Sequence, residues 1–241
     1  MKSVWGLLLV LCSICGAQTA NGKNYAYSSN GRSYGAVSYG AAGIYATGGN
    51  PYYSTTCSIT PGIAYPACVL LNYSWDSGGA TVQSVYGGGG TWQKFGSTLT
   101  GNGNMRAECW ASIPTQTGSQ TVTVTMTGAT SNGVGSAVYT VYGANPNSII
   151  RACYAATSGC TSGCAVSVST LPGDLAASAE FDGNNNRTLN TGSCTTTLDV
   201  TGFTTVGYSA AHCSNAPTAT FTWSAIYSSG GVAVGVDVGH R

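Results

Sequence analysis

The chain has 241 residues, and 6% of them are charged, against about 25% in a typical domain. Without Lys2, seven basic and seven acidic side chains balance, so the rest of the chain is formally neutral. This composition excludes the clustered basic surface with which proteins bind nucleic acid. It also leaves little electrostatic repulsion between copies, which permits self-association.

The first residues are typical of a secretory signal peptide. Lys2 precedes a short apolar run over Val4–Cys15, and the small residues Gly16 and Ala17 follow. The run is shorter than the roughly twenty apolar residues that a membrane-spanning helix needs. We therefore predict a signal peptide at residues 1–17 and a secreted protein, extracellular or at the cell surface, with no transmembrane segment.

Eight cysteines remain after this segment, an even number that is typical of a disulfide framework in an exported chain. They are Cys57, Cys68, Cys109, Cys153, Cys160, Cys164, Cys194 and Cys213. Spacing favours the local pairs Cys57–Cys68, Cys160–Cys164 and Cys194–Cys213, and Cys109 and Cys153 would then pair across strands. A zinc site is the alternative, but this part of the chain has no Cys-x-x-Cys motif. We predict disulfides, no metal and no cofactor.

Residues 18–56 are rich in Tyr and Gly and have few aliphatic side chains and almost no charge. Composition alone is typical of a flexible leader. The recurring tyrosines favour instead an extended arm that adds as a β-strand to a sheet edge, in its own chain or preferably in a neighbouring copy. We predict this strand over Ser33–Tyr45. Its contact residues would be Tyr34, Val37, Tyr39, Ile44 and Tyr45.

From Cys57 onward, short β-type runs are separated by turn signals about every 8–12 residues, and no apolar run has a helical period. In Thr121–Thr127 the threonines alternate with two valines and a methionine, so the apolar side chains should face a core. Met105–Ile113 and Val134–Tyr142 flank this run, and we predict that the three strands form a meander. The predicted fold is an all-β antiparallel sandwich over residues 57–241, immunoglobulin-like or jelly-roll, with about a dozen short strands, stapled by disulfides and without an internal sequence repeat.

Four strand motifs follow one another between residues 64 and 241. They are GGTWQKFGSTLTG, MRAECWASIPTQTGSQTVTVTMTG, AVYTVYG and TFTWSAIYSSGGVAVGVDV. This succession resembles exported bacterial immunoglobulin-like or jelly-roll surface domains, a broad group of largely undefined function. The resemblance implies a sandwich at the cell surface. The group usually carries a glutamate before the tyrosine of its third strand; Val141 stands there in this chain, so no role of that acid carries over.

The sequence shows no catalytic constellation. His212 and His240 are the available imidazole bases, and no Gly-x-Ser-x-Gly elbow connects a strand to a helix. Glu108, Glu180 and Asp182 are the candidate carboxylates for a glycosidase-like pair. Any sandwich with seven acids brings some of them close together, so we predict that the protein is not an enzyme.

A calcium loop is a second chemical candidate. The segment Asp182–Asn186 places oxygen ligands at alternate positions, but Arg187 and Ser193 stand where such a loop needs glycine and glutamate. Asn and Gly also favour turns, which is the better interpretation.

Exposed aromatic rings would favour sugar binding. We expect most of the strand tryptophans Trp75, Trp92, Trp110 and Trp223 in the core, and expect Tyr73, Tyr86, Tyr139, Tyr142 and Tyr227 at the surface. The sequence thus predicts an extracellular structural or adhesive protein, a self-assembling surface or filament subunit that uses its N-terminal arm. The alternative is a secreted carbohydrate-binding module, so the expected partner is a second copy, or glycans.

Overall fold

The computed structural model describes residues 18–20, 23–27, 33–47, 52–75, 79–100, 105–128, 133–156, 163–182, 189–190, 197–203, 207–214, 217–224 and 231–241. The predicted signal peptide lies outside these ranges. Within them there are nineteen β-strands and no helix, which confirms the all-β prediction. None of the described segments is a helix that is long and apolar enough to cross a bilayer.

The strands follow the chain in this order. They are β1 (Gln18–Ala20), β2 (Lys23–Tyr27), β3 (Ser33–Gly35), β4 (Ser38–Thr47), β5 (Tyr52–Ile59), β6 (Ala67–Trp75), β7 (Val82–Gly87), β8 (Trp92–Thr100), β9 (Met105–Ser112), β10 (Gly118–Met126), β11 (Gly133–Tyr142), β12 (Ile150–Ala156), β13 (Gly163–Ser169), β14 (Leu175–Asp182), β15 (Leu189–Asn190), β16 (Thr197–Phe203), β17 (Gly207–Ser214), β18 (Thr218–Ser224) and β19 (Gly231–Val238).

Strands β4 to β19 form two units with the same strand order. The first unit has a five-stranded sheet, β4-β11-β6-β9-β8, and a three-stranded sheet, β5-β10-β7. The second unit repeats both orders eight strands later, as β12-β19-β14-β17-β16 and β13-β18-β15. We call the five-stranded sheets central and the three-stranded sheets outer. Strands β1, β2 and β3 form a separate small sheet.

Each unit has the pairing of a jelly roll. Its first strand pairs with its last, its second with its seventh, and its third with its sixth, all antiparallel. This is a long hairpin rolled over itself, one of the two sandwich types that the sequence predicts. The structure thus shows two jelly rolls in tandem, although no sequence repeat marks the boundary between them.

The predicted meander is wrong. Strands β9 and β11 both flank β6 in the central sheet, whereas β10 lies in the outer sheet between β5 and β7. The chain therefore crosses from one sheet to the other at each of the two turns. Turn residues show where a strand ends, but the apolar face that the next strand must cover decides which sheet it joins.

The two central sheets pack face to face. Their shared core includes Val69 and Leu71 from the first unit and Ala179 and Val234 from the second. Tyr73 stacks on Phe181 with 5.3 Å between the ring centroids, and this contact joins the two units within the core. Each central sheet is therefore covered on both faces, and β11 is buried over its whole length.

Each outer sheet encloses a second core against its own central sheet. In the first unit Val122, Val124 and Met126 of β10 are buried, and the intervening threonines are partly or fully exposed, as predicted. In the second unit Phe221 and Trp223 of β18 have the same role. Four sheet layers and three apolar cores result.

Strands β4 and β5 lie within the segment that the sequence assigns to the arm. The boundary placed at Cys57 falls inside β5, where Tyr53 and Cys57 alternate with exposed Ser54 and Thr56. Strand β5 pairs along its whole length with β10. The alternation of buried and exposed residues that is typical of a strand is thus present in β5. Its buried residues there, up to Cys57, are Tyr, Thr and Cys rather than aliphatic residues, so the sequence pattern does not stand out.

Candidate functional site

Two disulfides lie wholly within the described residues, and both match the predicted pairs. Cys57–Cys68 joins β5 of the outer sheet to β6 of the central sheet, with 6.1 Å between the Cα atoms. Cys109–Cys153 joins β9 to β12 and therefore connects the central sheets of the two units. The first disulfide staples one sandwich, and the second ties the two sandwiches together.

Cys164 and Cys213 are also disulfide-bonded, and both are buried in the core of the second unit. Cys160 and Cys194, their predicted partners, lie outside the described residues. Six of the eight predicted cysteines are thus in disulfides in the described part of the chain.

Two of the predicted arm residues, Val37 and Tyr39, pack on their own chain. Val37 is buried in the core between the central sheets, and its N–H donates to the carbonyl oxygen of Gly173 at 2.8 Å. Tyr39 stacks on His212 with 4.2 Å between ring centroids. Of the other predicted contact residues, Tyr34 lies in β3, and Ile44 and Tyr45 lie in β4.

Strand β4 forms one edge of the first central sheet. Its ten residues, SYGAAGIYAT, include no charge and no proline, and they pair with β11 from Ser38 opposite Tyr142 to Thr47 opposite Val134. The predicted strand over Ser33–Tyr45 thus corresponds to β3 and most of β4. It adds to a sheet of its own chain.

Tyrosine exposure differs from the prediction. Tyr73, Tyr139 and Tyr142 are buried, because the central sheets are covered on both faces. The hydroxyl of Tyr139 donates to the carbonyl oxygen of Ser178 at 2.7 Å, across the contact between the units. Tyr86 is 57% exposed, as predicted, and Tyr227 lies outside the described residues. Among the tryptophans, Trp92 and Trp223 are buried, Trp110 is partly buried, and the Trp75 side chain lies outside the description.

The outer face of the sheet β5-β10-β7 carries rows of hydroxyl groups. Thr123 lies between Ser54 and Tyr86, and Thr125 lies between Tyr52 and Ser84. Tyr52 and Tyr86 are both exposed and lie about 12 Å apart by their Cα atoms, from the spacing of strands and residues. The described residues of this face are uncharged and rich in hydroxyls.

Glu108 is a buried carboxylate with a complete set of partners. The N–H of Val82 donates to its Oε2 at 2.6 Å, and the hydroxyl of Thr98 donates to its Oε1 at 2.7 Å. Lys94 forms an ion pair with the same Oε1. These contacts connect β7, β8 and β9, so the arrangement holds the two sheets of the first unit together.

The candidate carboxylates Glu108 and Glu180 are not brought together. Glu108 points toward the outer sheet of the first unit. Glu180 lies on β14 between Ala179 and Phe181, which face the central core, so Glu180 faces the second unit's outer sheet. The Asp182 side chain lies outside the description. The two glutamates therefore face away from each other in separate cores.

A different acidic cluster lies at the end of the second central sheet. Asp174 is buried and accepts hydrogen bonds from the N–H groups of His240 at 2.7 Å and Leu171 at 3.2 Å. His240 Nδ1 lies 2.6 Å from its Oδ1, and Arg151 Nε lies 3.3 Å from its Oδ2. The cluster ties the C-terminal residues to the start of β12 and to the turn before β14.

Asp237 on β19 is the second acid of this cluster. Burial raises the pKa of its carboxyl from 3.8 to about 7, and the charge of Asp174 adds to the rise, against the lowering effect of Arg151. The carboxyl of Asp237 thus keeps its proton to a higher pH than an ordinary aspartate does. Neither acid belongs to a motif that predicts a site, although Asp237 gives a signal: it is an acidic residue in the otherwise apolar run VAVGVDV.

The raised pKa of Asp237 predicts a stability that falls with pH. A protonated carboxyl stabilises the folded chain fully below about pH 4, and that contribution is lost as pH rises through about 7, at most about 4 kcal/mol in all. Asp237→Asn stays neutral and should remove this part of the pH dependence. We expect urea midpoints of native protein to fall from pH 5 to pH 8 more steeply than those of the variant. Equal slopes would contradict the prediction.

No group of three or more metal-ligating side chains is found among the described residues. Most of the Asp182–Asn186 segment, with the calcium-loop pattern, lies outside them. Comparison with models of known protein families and with curated protein sequences gives no match for this chain.

Proposed function

We propose that the protein is an extracellular structural or adhesive subunit that self-associates through β4, the edge strand of the first central sheet among the described residues. The observation that carries the proposal is this ten-residue edge strand, which has no charge and no proline. An edge strand presents unpaired N–H and C=O groups, and proteins normally block such an edge with Lys, Pro or a bulge. Export is supported by the disulfides, which persist in oxidising compartments.

The opposite edge of the same sheet has the blocking features that most of β4 lacks. Strand β8 carries Lys94, and its pairing with β9 is interrupted between Phe95 and Leu99. In the second central sheet the edge strand β12 carries Arg151, with a register shift between Ile150 and Ala152. Strand β4 has a single register shift near its start, beside Tyr39, and is regular from Ala41 to Thr47. Of these three edges of the central sheets, β4 is therefore the best suited to pair with another copy.

Pairing of β4 with β4 of a second copy is isologous, because the same surface is used on both sides. It would run antiparallel around a twofold axis and join two central sheets into one continuous sheet. The arm acts here as an assembly surface, and it need not leave its own sheet. Because β4 and β5 help to build the first unit, deletion of residues 18–56 would damage the fold as well as the interface.

Two charged substitutions, one at each end of β4, test the interface. In a full antiparallel β4–β4 pair, Ser38 of one copy lies opposite Thr47 of the other. The variant Ser38→Lys/Thr47→Lys places like charges opposite each other at both ends, which destabilises cross-strand pairing. We expect native protein to associate with rising concentration in sedimentation velocity, and this variant to stay monomeric.

The matched control is Ser38→Lys/Thr47→Glu, which places opposite charges at the same positions. It should associate as native protein does, because the two changes disturb β4 to a similar extent. Association of the Lys/Lys variant at native strength would refute the interface. A native protein that is monomeric at all accessible concentrations would refute self-association itself.

A further inference from the structure

The three residues that follow β19 lie across the junction of the two units. The N–H of Asn145, in the connection between the units, donates to the carbonyl oxygen of Gly239 at 2.9 Å. The N–H of Gly239 in turn donates to the carbonyl oxygen of Ile149 at 2.9 Å, and that of Arg241 donates to Gly143 at 3.2 Å. The segment therefore reaches from the last strand of the second unit back to the end of the first. We call these three residues the clasp.

The clasp also contacts the loop between β5 and β6 of the first unit. The guanidinium of Arg241 lies 4.2 Å from the centre of the Tyr65 ring, an attractive contact between a cation and an aromatic face. Tyr65 has a left-handed backbone, with φ of 53°, which is uncommon for a residue other than glycine. Such a conformation persists only where its surroundings impose it. Here the N–H groups of Gly143 and Ala144 donate to the Tyr65 carbonyl oxygen, so the loop depends on the junction that the clasp covers.

The buried carboxylate of Asp174 anchors the clasp to the second unit. Its Oδ1 accepts the N–H of His240 at 2.7 Å and lies 2.6 Å from Nδ1 of the same residue, and its Oδ2 lies 3.3 Å from Nε of Arg151. A Cβ atom at Gly239 would lie 2.5 Å from that Nε and 3.0 Å from the carbonyl oxygen of Ser148. Arg151 thus packs so closely on the clasp that only glycine fits beneath it.

Asp237, two residues before the clasp, supplies a contact that depends on pH. Its side chain is buried and forms a hydrogen bond with Asp174. Burial raises the pKa of Asp237 from 3.8 to about 7, the charge of Asp174 adds to the rise, and Arg151 opposes it. A protonated Asp237 can donate to Asp174. A charged Asp237 instead repels the carboxylate that holds His240.

Other ionisable side chains near β19 lie farther from Asp237 or on the opposite face of the sheet. Asp237 pairs with alanines of β12 and β14, and Tyr154 and Glu180 stand two and four residues beyond them, about 7 and 13 Å along the strands. The strands β13 and β18, which cover this face, have no acidic or basic side chain, and Cys164 is disulfide-bonded. Across the central core, β9 directs its two charged side chains away from β19. The two aspartates, the arginine and the histidine at the clasp therefore set its charge.

We propose that the clasp joins the two jelly rolls while Asp237 is protonated and opens once Asp237 is charged. Opening frees the three residues from the connection and from the Tyr65 loop, while the Cys109–Cys153 disulfide and the shared apolar core keep the units together. The stabilisation that the proton gives to the closed clasp is complete below about pH 4 and is lost as pH rises through about 7. The inference does not depend on self-association through β4.

Amide hydrogen exchange of the full chain, measured by NMR, tests the clasp. Protection is expressed relative to an unstructured peptide at the same pH, so that it reports opening of the structure. We expect the protection of the His240 and Arg241 amides to fall about tenfold from pH 5 to pH 8. At pH 8 it should lie well below that of Val138 in β11, because the clasp opens without unfolding of the core. Asp237→Asn stays neutral and should keep the clasp protected at pH 8.

Gly239→Ala tests the same contact without a change of pH. Its methyl group would collide with Arg151 and should open the clasp already at pH 5. Gly128→Ala is the matched control, because it makes the same change where no atom lies close, and its clasp should exchange as in native protein. The proposal is overturned if the clasp amides keep their protection from pH 5 to pH 8, or if Asp237→Asn loses it as native protein does. Equal protection of the clasp and of Val138 at pH 8 would also overturn it, since exchange would then require the whole chain to unfold.

Discussion

Replacing Cys109 and Cys153 together by alanine should lower the free energy of unfolding by about 4 kcal/mol, the estimate for closing a loop of this length. The two cysteines are 44 positions apart, and their bond joins the central sheets of the two units. Without it, the units remain in contact through their shared apolar core and a few polar contacts, such as the hydrogen bond from Tyr139 to Ser178. We expect a lower thermal midpoint and separate unfolding of the two units, as two calorimetric transitions in place of one.

The control is Cys57→Ala/Cys68→Ala, which opens a loop of 11 positions inside the first unit. It should cost about 3 kcal/mol and should not separate the two units. Reduction of native protein should lower the midpoint at least as far as either double variant. A midpoint unchanged by reductant, or one cooperative transition in the Cys109/Cys153 variant, would show that the apolar core alone couples the units.

The parts of the fold that could be predicted from the sequence rest on local signals. The alternation of threonines with apolar residues in Thr121–Thr127 predicts which face of β10 points into the core. Cys57 and Cys68 are close enough in sequence for their disulfide to be predicted. Strand positions followed from turn residues and β-branched runs in the same way. Each of these inferences uses residues within about a dozen positions of one another.

Most strand pairings could not be predicted, because the partners lie far apart in the chain. Strand β6 pairs with β11 and β9, and nothing local distinguishes these partners from β7. The repeat of strand order was hidden for the same reason. A jelly-roll position demands an apolar side chain on one face, and many residues meet that demand, so equivalent strands need not share a sequence.

The cluster at Asp174 was missed because its members come from three separate segments. Arg151, Asp174 and His240 meet only when β12, the turn before β14 and the end of β19 are in place. Tyr73 and Tyr139 were expected at the surface, yet both are buried in the core between the units. The outer sheet of the first unit covers one face of their strands. The second jelly roll covers the other face, and a long-range contact of that kind leaves no periodic signal.

Val124→Asp should destabilise the protein more than the loss of either disulfide. Val124 is fully buried in the core of the first unit, and it lies between Tyr53 of β5 and Val85 of β7 in the outer sheet. A carboxylate there would have no partner, and burying it should cost more than about 4 kcal/mol. We expect little secreted protein, and urea unfolding at a much lower concentration in any that is recovered.

Thr121→Asp is the matched control, because it introduces the same carboxylate on the same strand at an exposed position. A solvated charge there should change stability by no more than about 0.5 kcal/mol. The control also reports on the outer face of the sheet. If Thr121→Asp unfolds the chain as severely as Val124→Asp, the face with Thr121 must be covered in the native protein. That face would then belong to an interface between copies, and the β4 edge would not be the surface that joins them.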